Sequence, residues 1–161
     1  MTLPNLPGLS VVGVSTTIDA PNFLPKTWPP EDDFPVVIDS EGNIVSRYKD
    51  VRWDFSPWHG STLKIYFGDG PGNGHKVNKE NADLLRLIMA WWIWGARTPV
   101  SARTLVTKFE TIKPIFVICS NYNICVSELS KHPEIIKNIA LNGKFSHLHL
   151  LTYLHDLSFN A

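Results

Sequence analysis

Residues 78–120 read NKENADLLRLIMAWWIWGARTPVSARTLVTKFETIKPIFVICS, two helix-length apolar segments joined by a short basic connector containing Pro99. Asn78 stands where an N-cap should be, with Glu80 and Asp83 in or near the first turn, where the helix dipole favours acids. Asn81 falls at the third helical position, an amide in place of the Glu or Gln of a capping box. Leu84, Leu85, Ile88, Trp91 and Trp92 recur at helical spacing, Trp94 widens that face, and Gly95 suits the C-terminal cap. Beside Leu and Ile, these Trp residues are expected in the core.

Ser101 is the N-cap candidate of a second helix. Its buried row is Leu105, Phe109, Ile112 and Phe116, with Val106 beside it. Its polar face carries Thr104, Lys108 and Thr111, flanked by Arg103 and Thr107. Pro114 removes a hydrogen bond to Glu110 and clashes with that turn, so a kink or break is expected there. Further on, Ser127–Ser130 reads as a short helical turn, 133–141 as a short helix opened by Pro133, and Phe145–Leu157 as the last helix.

Working back from residue 78, GDGPGNGH (68–75) is a glycine-rich loop. It lacks the spacing of a phosphate-binding P-loop, and Val77 stands where that motif needs a hydroxyl, so a turn is expected. Before it, PVVID (35–39) and IVSRY (44–48) flank the turn residues SEGN (40–43), which predicts a β-hairpin. Trp53–Phe55 and Leu63–Phe67 alternate as two more strands around a turn at 56–60. An isolated hairpin is marginal in water, so these strands must pack on the helices, with Trp53, Phe55, Trp58 and Phe67 as the glue. Residues 1–33 contain Pro4, Pro7, Pro21, Pro25, Pro29 and Pro30 and predict an extended arm partly pinned by Phe23, Leu24 and Trp28.

The fold class expected is therefore α+β. It comprises a Pro-rich N-terminal arm (1–33), a small antiparallel β-hairpin region with the Gly-rich loop (34–75), and a helical domain (76–161). The apolar fraction of 43% is enough for a core.

Net charge is zero, but residues 1–75 hold five Lys/Arg against nine Asp/Glu, and residues 76–161 hold ten against six. That asymmetry points the helical half toward an anionic partner. Arg97, Arg103 and Lys108 gather around the start of the second helix, and Lys76 and Lys79 precede the first. Together with the hydroxyls of Thr104 and Thr107, they form a surface suited to phosphate contact.

Catalytic and metal chemistry find no purchase. Cys119, Cys125 and His132 match no common zinc spacing, and no fourth ligand is evident. His147 and His149 face different sides of a helix. No G-x-S-x-G occurs, and Glu31, Asp32 and Asp33 read as solvated. No metal or cofactor is expected. Two cysteines in apolar surroundings, no signal peptide and no apolar run of spanning length predict a cytoplasmic protein with no membrane association.

The runs Asn81-Ala82-Asp83-Leu84-Leu85, Trp91-Trp92-Ile93-Trp94-Gly95, Arg97 with Ser101-Ala102-Arg103-Thr104-Leu105, Lys113 to Ser120, and Phe67-Gly68-Asp69-Gly70 resemble the N-terminal region of certain bacterial integrase-like proteins. These are similar to tyrosine site-specific recombinases, and the resemblance covers residues about 50–157. It implies a four- to five-helix, SAM-like core-binding domain that covers one side of double-stranded DNA. A separate C-terminal domain would carry out covalent attack of a Tyr on a phosphodiester, assisted by Arg, Lys and His. This chain departs from that pattern, because no arginine follows Arg103 and no His-x-x-Arg occurs. No catalytic residue can be placed, and the chain is not expected to be an enzyme by itself. The resemblance implies DNA contact through Arg97, Arg103, Thr104, Thr107, Lys108, Lys76 and Lys79, with action at the nucleoid. Further partners would be a C-terminal catalytic domain or other recombinase subunits. The alternative is a protein–protein interaction module of a mobile-element protein, docking through the acidic, aromatic N-terminal half.

Overall fold

The computed structural model describes residues 10–11, 23–72, 76–94 and 101–142. It is α+β. Three antiparallel strand pairs precede the long helices: β1 (Ser10–Val11) with β2 (Phe23–Leu24), β3 (Pro35–Ile38) with β4 (Ile44–Arg47), and β5 (Arg52–Asp54) with β6 (Lys64–Tyr66). A single helical turn, α1 (Ser56–His59), takes the place of the plain turn expected between β5 and β6. Then come α2 (Lys79–Trp94), α3 (Ala102–Asn121), a 3-10 segment (Val126–Lys131) and α4 (Pro133–Asn142). The expected helix over 145–157 and the cap at Gly95 lie outside the described residues.

The β3–β4 hairpin forms because two β-branched runs flank a turn that satisfies itself. The Asp39 carboxylate accepts hydrogen bonds from the N–H groups of Glu41 and Asn43 at 2.9 and 2.8 Å, and Gly42 takes φ 87°. In β5–β6, Trp53 opposes Ile65 and both are buried, so the period of two turns Arg52, Asp54, Lys64 and Tyr66 outward. Trp53 is fully buried and stands edge-on to Phe67 at 4.8 Å and to Phe55 at 6.3 Å. Phe67 in turn meets Phe109 of α3 at 5.7 Å, so aromatic rings carry one core from strands to helices. Trp28, expected to help pin the N-terminal segment, is 50% exposed.

Both expected N-caps form. Asn78 Oδ1 accepts from the Asn81 N–H at 3.0 Å, and Ser101 Oγ accepts from the Thr104 N–H at 3.1 Å. The expected row Leu105, Phe109, Ile112 and Phe116 is buried, as is Val106. Trp92 is buried, and Trp91 and Trp94 pack partly buried against the core. No break occurs at Pro114, because α3 runs unbroken through it. Pro114 and Glu110 both lie on the exposed face, where a freed carbonyl reaches solvent, and Ile112, Ile115 and Phe116 hold both halves of the helix to the core. The helix ends at Asn121, and the chain turns away at Asn123, φ 56°, where the N–H of Ile124 reaches the Cys119 carbonyl and that of Asn123 the Ser120 carbonyl.

One polar side chain sets how α2 and α3 meet. The buried Asn81 amide donates to Ser120 Oγ at 3.0 Å and to the Ile124 carbonyl at 2.9 Å, and its oxygen accepts from the Val126 N–H at 2.8 Å. The start of α2 therefore lies beside the end of α3, and the two helices run antiparallel.

Candidate nucleic-acid interface

The first half of α3 brings together four of the residues singled out by sequence. Arg103 and Thr107 are exposed, and Thr104 and Lys108 are half-buried. At about 100° per residue, Arg103 and Thr107 share the outer ridge, while Thr104, Lys108 and Thr111 form the flank that turns toward α2. The Lys108 ammonium sits 5.3 Å from the centroid of the Trp92 ring, which orients it through a cation–π contact. The Arg103 guanidinium has no such ring contact among the described residues. Neither cation makes an ion pair among the described residues.

The threonines serve the helix first. Thr107 Oγ1 donates to the Arg103 carbonyl at 3.0 Å and Thr111 Oγ1 to the Thr107 carbonyl at 2.8 Å. Thr104 Oγ1 lies 3.0 Å from Ser101 Oγ in the cap. A hydroxyl whose proton is engaged offers an anion only lone pairs, so Arg103 and Lys108 carry the positive character of this surface.

The other expected cations lie elsewhere. Lys79 opens α2 beside the C-terminal end of α3, so about 25 Å of helix separates its level from that of Arg103. Lys76 is exposed, and its backbone N–H is fastened to the Gly68 carbonyl at 2.7 Å. Arg97 lies outside the described residues. Sequence reasoning missed Lys113. Its ammonium donates to the Tyr66 carbonyl at 2.6 Å and lies 5.7 Å from the Phe109 ring centroid. Burial pulls its pKa below the usual lysine range, and the neighbouring Lys76 charge acts in the same direction.

Sequence reasoning also missed Arg86, whose side chain is 1% exposed. Its Nη2 lies 2.8 and 2.7 Å from the two Asp69 oxygens, its Nη1 3.2 Å from Asp83, and its Nε and Nη2 donate to the Asp50 carbonyl at 3.3 and 3.2 Å. The guanidinium also covers the Phe67 ring at 4.7 Å. With every side of it engaged, Arg86 is a tether for the glycine-rich loop. The signal was an Arg next to Leu85 on a largely apolar helix, with an acid at i−3.

Among the described residues no group of His, Cys, Asp and Glu could hold a metal ion. Cys119 and Cys125 are buried free thiols, and burial, then Cys125, pushes the Cys119 thiol up to about 12. His132 faces Glu134 at 3.3 Å. An open groove of about 240 Å³ runs between Pro29–Pro30 and α2. Its charged groups pair with one another, Lys49 with Asp83 at 2.9 Å and with Asp32 at 4.0 Å. No helix among the described residues is long and apolar enough to cross a membrane.

No family model matches the chain, and no curated protein or solved structure matches it.

Proposed function

We propose that the chain is a DNA-binding module of the core-binding type found in integrase-like proteins similar to tyrosine recombinases. On this reading its helices make a SAM-like bundle, the Pro-rich N-terminal segment is an arm, and the site of action is the nucleoid. The observation that supports it best is the pairing of Arg103 and Lys108. They are two cations one to two turns apart on a capped helix, and neither has an acidic partner among the described residues. Phosphates of double-stranded DNA would sit against these two, with Thr104 and Thr107 as acceptors for bound water and Lys79 at the far rim. Glu110, exposed two turns beyond Arg103 on the same ridge, bounds the contact by repelling phosphate. Such contacts position a protein on DNA without reading sequence. Strand cleavage would fall to a C-terminal catalytic domain or other recombinase subunits, since no arginine follows Arg103 here and no His-x-x-Arg occurs.

The test is a salt titration of duplex binding. Each phosphate contact contributes about −0.9 to the slope of log K against log salt, so Arg103→Ala with Lys108→Ala should flatten it by roughly 2. An unchanged slope removes this surface. A labelled duplex left unshifted at every salt concentration removes the DNA reading. It favours instead a protein-interaction module, whose surface would be the half-exposed Trp28 and the exposed acids Glu31, Asp32 and Asp33.

A further inference from the structure

Three cationic residues from three separate parts of the chain are fastened to, or paired with, the end of β6. Lys113 of α3 donates its ammonium to the Tyr66 carbonyl, and Lys76 is fastened through its N–H to the Gly68 carbonyl, two residues on. Arg52 stands directly opposite Tyr66 in the β5–β6 register, on the outward face. Tyr66 itself is 54% exposed and Val51, next to Arg52, 46%. Asp69 is occupied by Arg86 at 2.7 Å and Asp54 by Lys64 at 3.5 Å, while Glu110, three residues before Lys113 on α3, is exposed and borders the patch. None of Arg52, Lys76 and Lys113 makes an ion pair among the described residues. The depressed pKa of Lys113, from burial and then from Lys76, agrees with a charge held near another of its own sign.

This patch is distinct from the Arg103–Lys108 surface. Lys108 lies against the Trp92 ring of α2, whereas Lys113 reaches the Tyr66 carbonyl of β6, so the two lysines are held toward different neighbours of α3. Like charges brought near one another are relieved by an anion, and an exposed ring beside them calls for a flat, apolar group joined to that anion. Unpaired nucleotides offer both at the right scale, a phosphate on each residue and a base between.

We propose that Arg52, Lys76 and Lys113 form a second nucleic-acid surface, which takes the phosphates of an unpaired strand while the Tyr66 ring stacks on one of its bases. The surface goes beyond the duplex contact and does not depend on it.

The probe is a fluorescein-labelled oligothymidylate, read by anisotropy on the full chain at low salt. Tyr66→Ala should weaken its binding about tenfold, whereas Tyr66→Phe, which keeps the ring, should bind as wild type does. Arg52→Gln with Lys113→Gln should flatten the salt slope by about 1.4, at about 0.7 per contact on a single strand. Far-UV circular dichroism of each variant confirms the fold, and Lys113→Arg, which keeps the charge, should restore the slope. Duplex binding should be unchanged by Tyr66→Ala. Wild-type protein that leaves the oligothymidylate unbound, or a Tyr66→Ala protein that binds it equally well, overturns the proposal. Intact duplex binding in that case would leave the Arg103–Lys108 surface standing alone, and oligothymidylate binding without duplex binding would remove that surface and keep this one.

Discussion

The Arg86 guanidinium lies 2.7 Å from the Asp69 carboxylate, with the arginine side chain 1% and the aspartate side chain 15% exposed. An ion pair taken this far out of water is held by geometry, and removing one partner leaves the other charge stranded. The two halves of the pair are not equivalent. Asp69→Ala leaves a guanidinium buried against Phe67 with only Asp83 and the Asp50 carbonyl, and should cost about 3–5 kcal/mol of unfolding free energy. Arg86→Met fills much of the same volume with an apolar chain and leaves Asp69 near enough to solvent to hydrate, so its cost should be smaller, about 1–3 kcal/mol. Urea unfolding of both and of the double variant forms a cycle. The double variant should be more stable than the sum of the single losses implies, and strict additivity would show that the pair is not coupled.

Gly68 should be far less replaceable than Gly60, although both have positive φ, 90° and 80°. A Cβ at Gly60 meets nothing within 4 Å, so Gly60→Ala should cost only the left-handed strain, about 1–2 kcal/mol. A Cβ at Gly68 would stand 2.8 Å from Val77 Cγ2, inside the tight closure made by the Lys76 and Val77 N–H groups on the Gly68 carbonyl. Overpacking adds to the strain there, and Gly68→Ala should lose about 2–4 kcal/mol in the same unfolding assay. Equal midpoints for the two variants would count against the closure.

Asp39 gives the hairpin a pH signature. The Asn43 side chain first, and then backbone N–H groups of the turn, hold its carboxyl below the ordinary value of 3.8. Because the folded state favours the charged form, the stabilisation is complete above that ordinary value and is lost as pH falls through the lower folded one. Asp39→Asn should therefore differ from wild type at neutral pH and converge on it in acid. Unfolding free energies from about pH 6 to about pH 2 would show the gap closing, and a constant gap would refute the assignment.

What the sequence made legible was local. Asn78 and Ser101 announced two helices because a cap acts within three residues. Leu105, Phe109, Ile112 and Phe116 announced a buried face because helical spacing places them in one row. The β3–β4 hairpin followed from β-branched runs around turn residues. Arg86 was hidden because its partners lie 17 and 36 residues earlier, in turns whose approach no periodicity encodes. Lys113 was hidden for the same reason, since Tyr66 is 47 residues away. Of the kink or break expected at Pro114, a break is absent because the proline stands on the exposed face, where the carbonyl it frees reaches solvent. The grouping of Arg103 with Lys108 was visible from spacing alone. That Thr107 and Thr111 turn their protons back onto the helix was not.

The Asn81 amide makes the start of α2 and the segment after α3 one cooperative unit of local opening. The Val126 N–H cannot meet solvent until Asn81 Oδ1 releases it, and the same amide loses Ser120 Oγ and the Ile124 carbonyl if it swings away. The first turn of a helix and a 3-10 segment ordinarily fray on their own, at little free-energy cost. Here neither can fray without the other, so exchange of the Val126 amide proton with solvent runs at the rate set by the helix pair and not by the short segment that carries it.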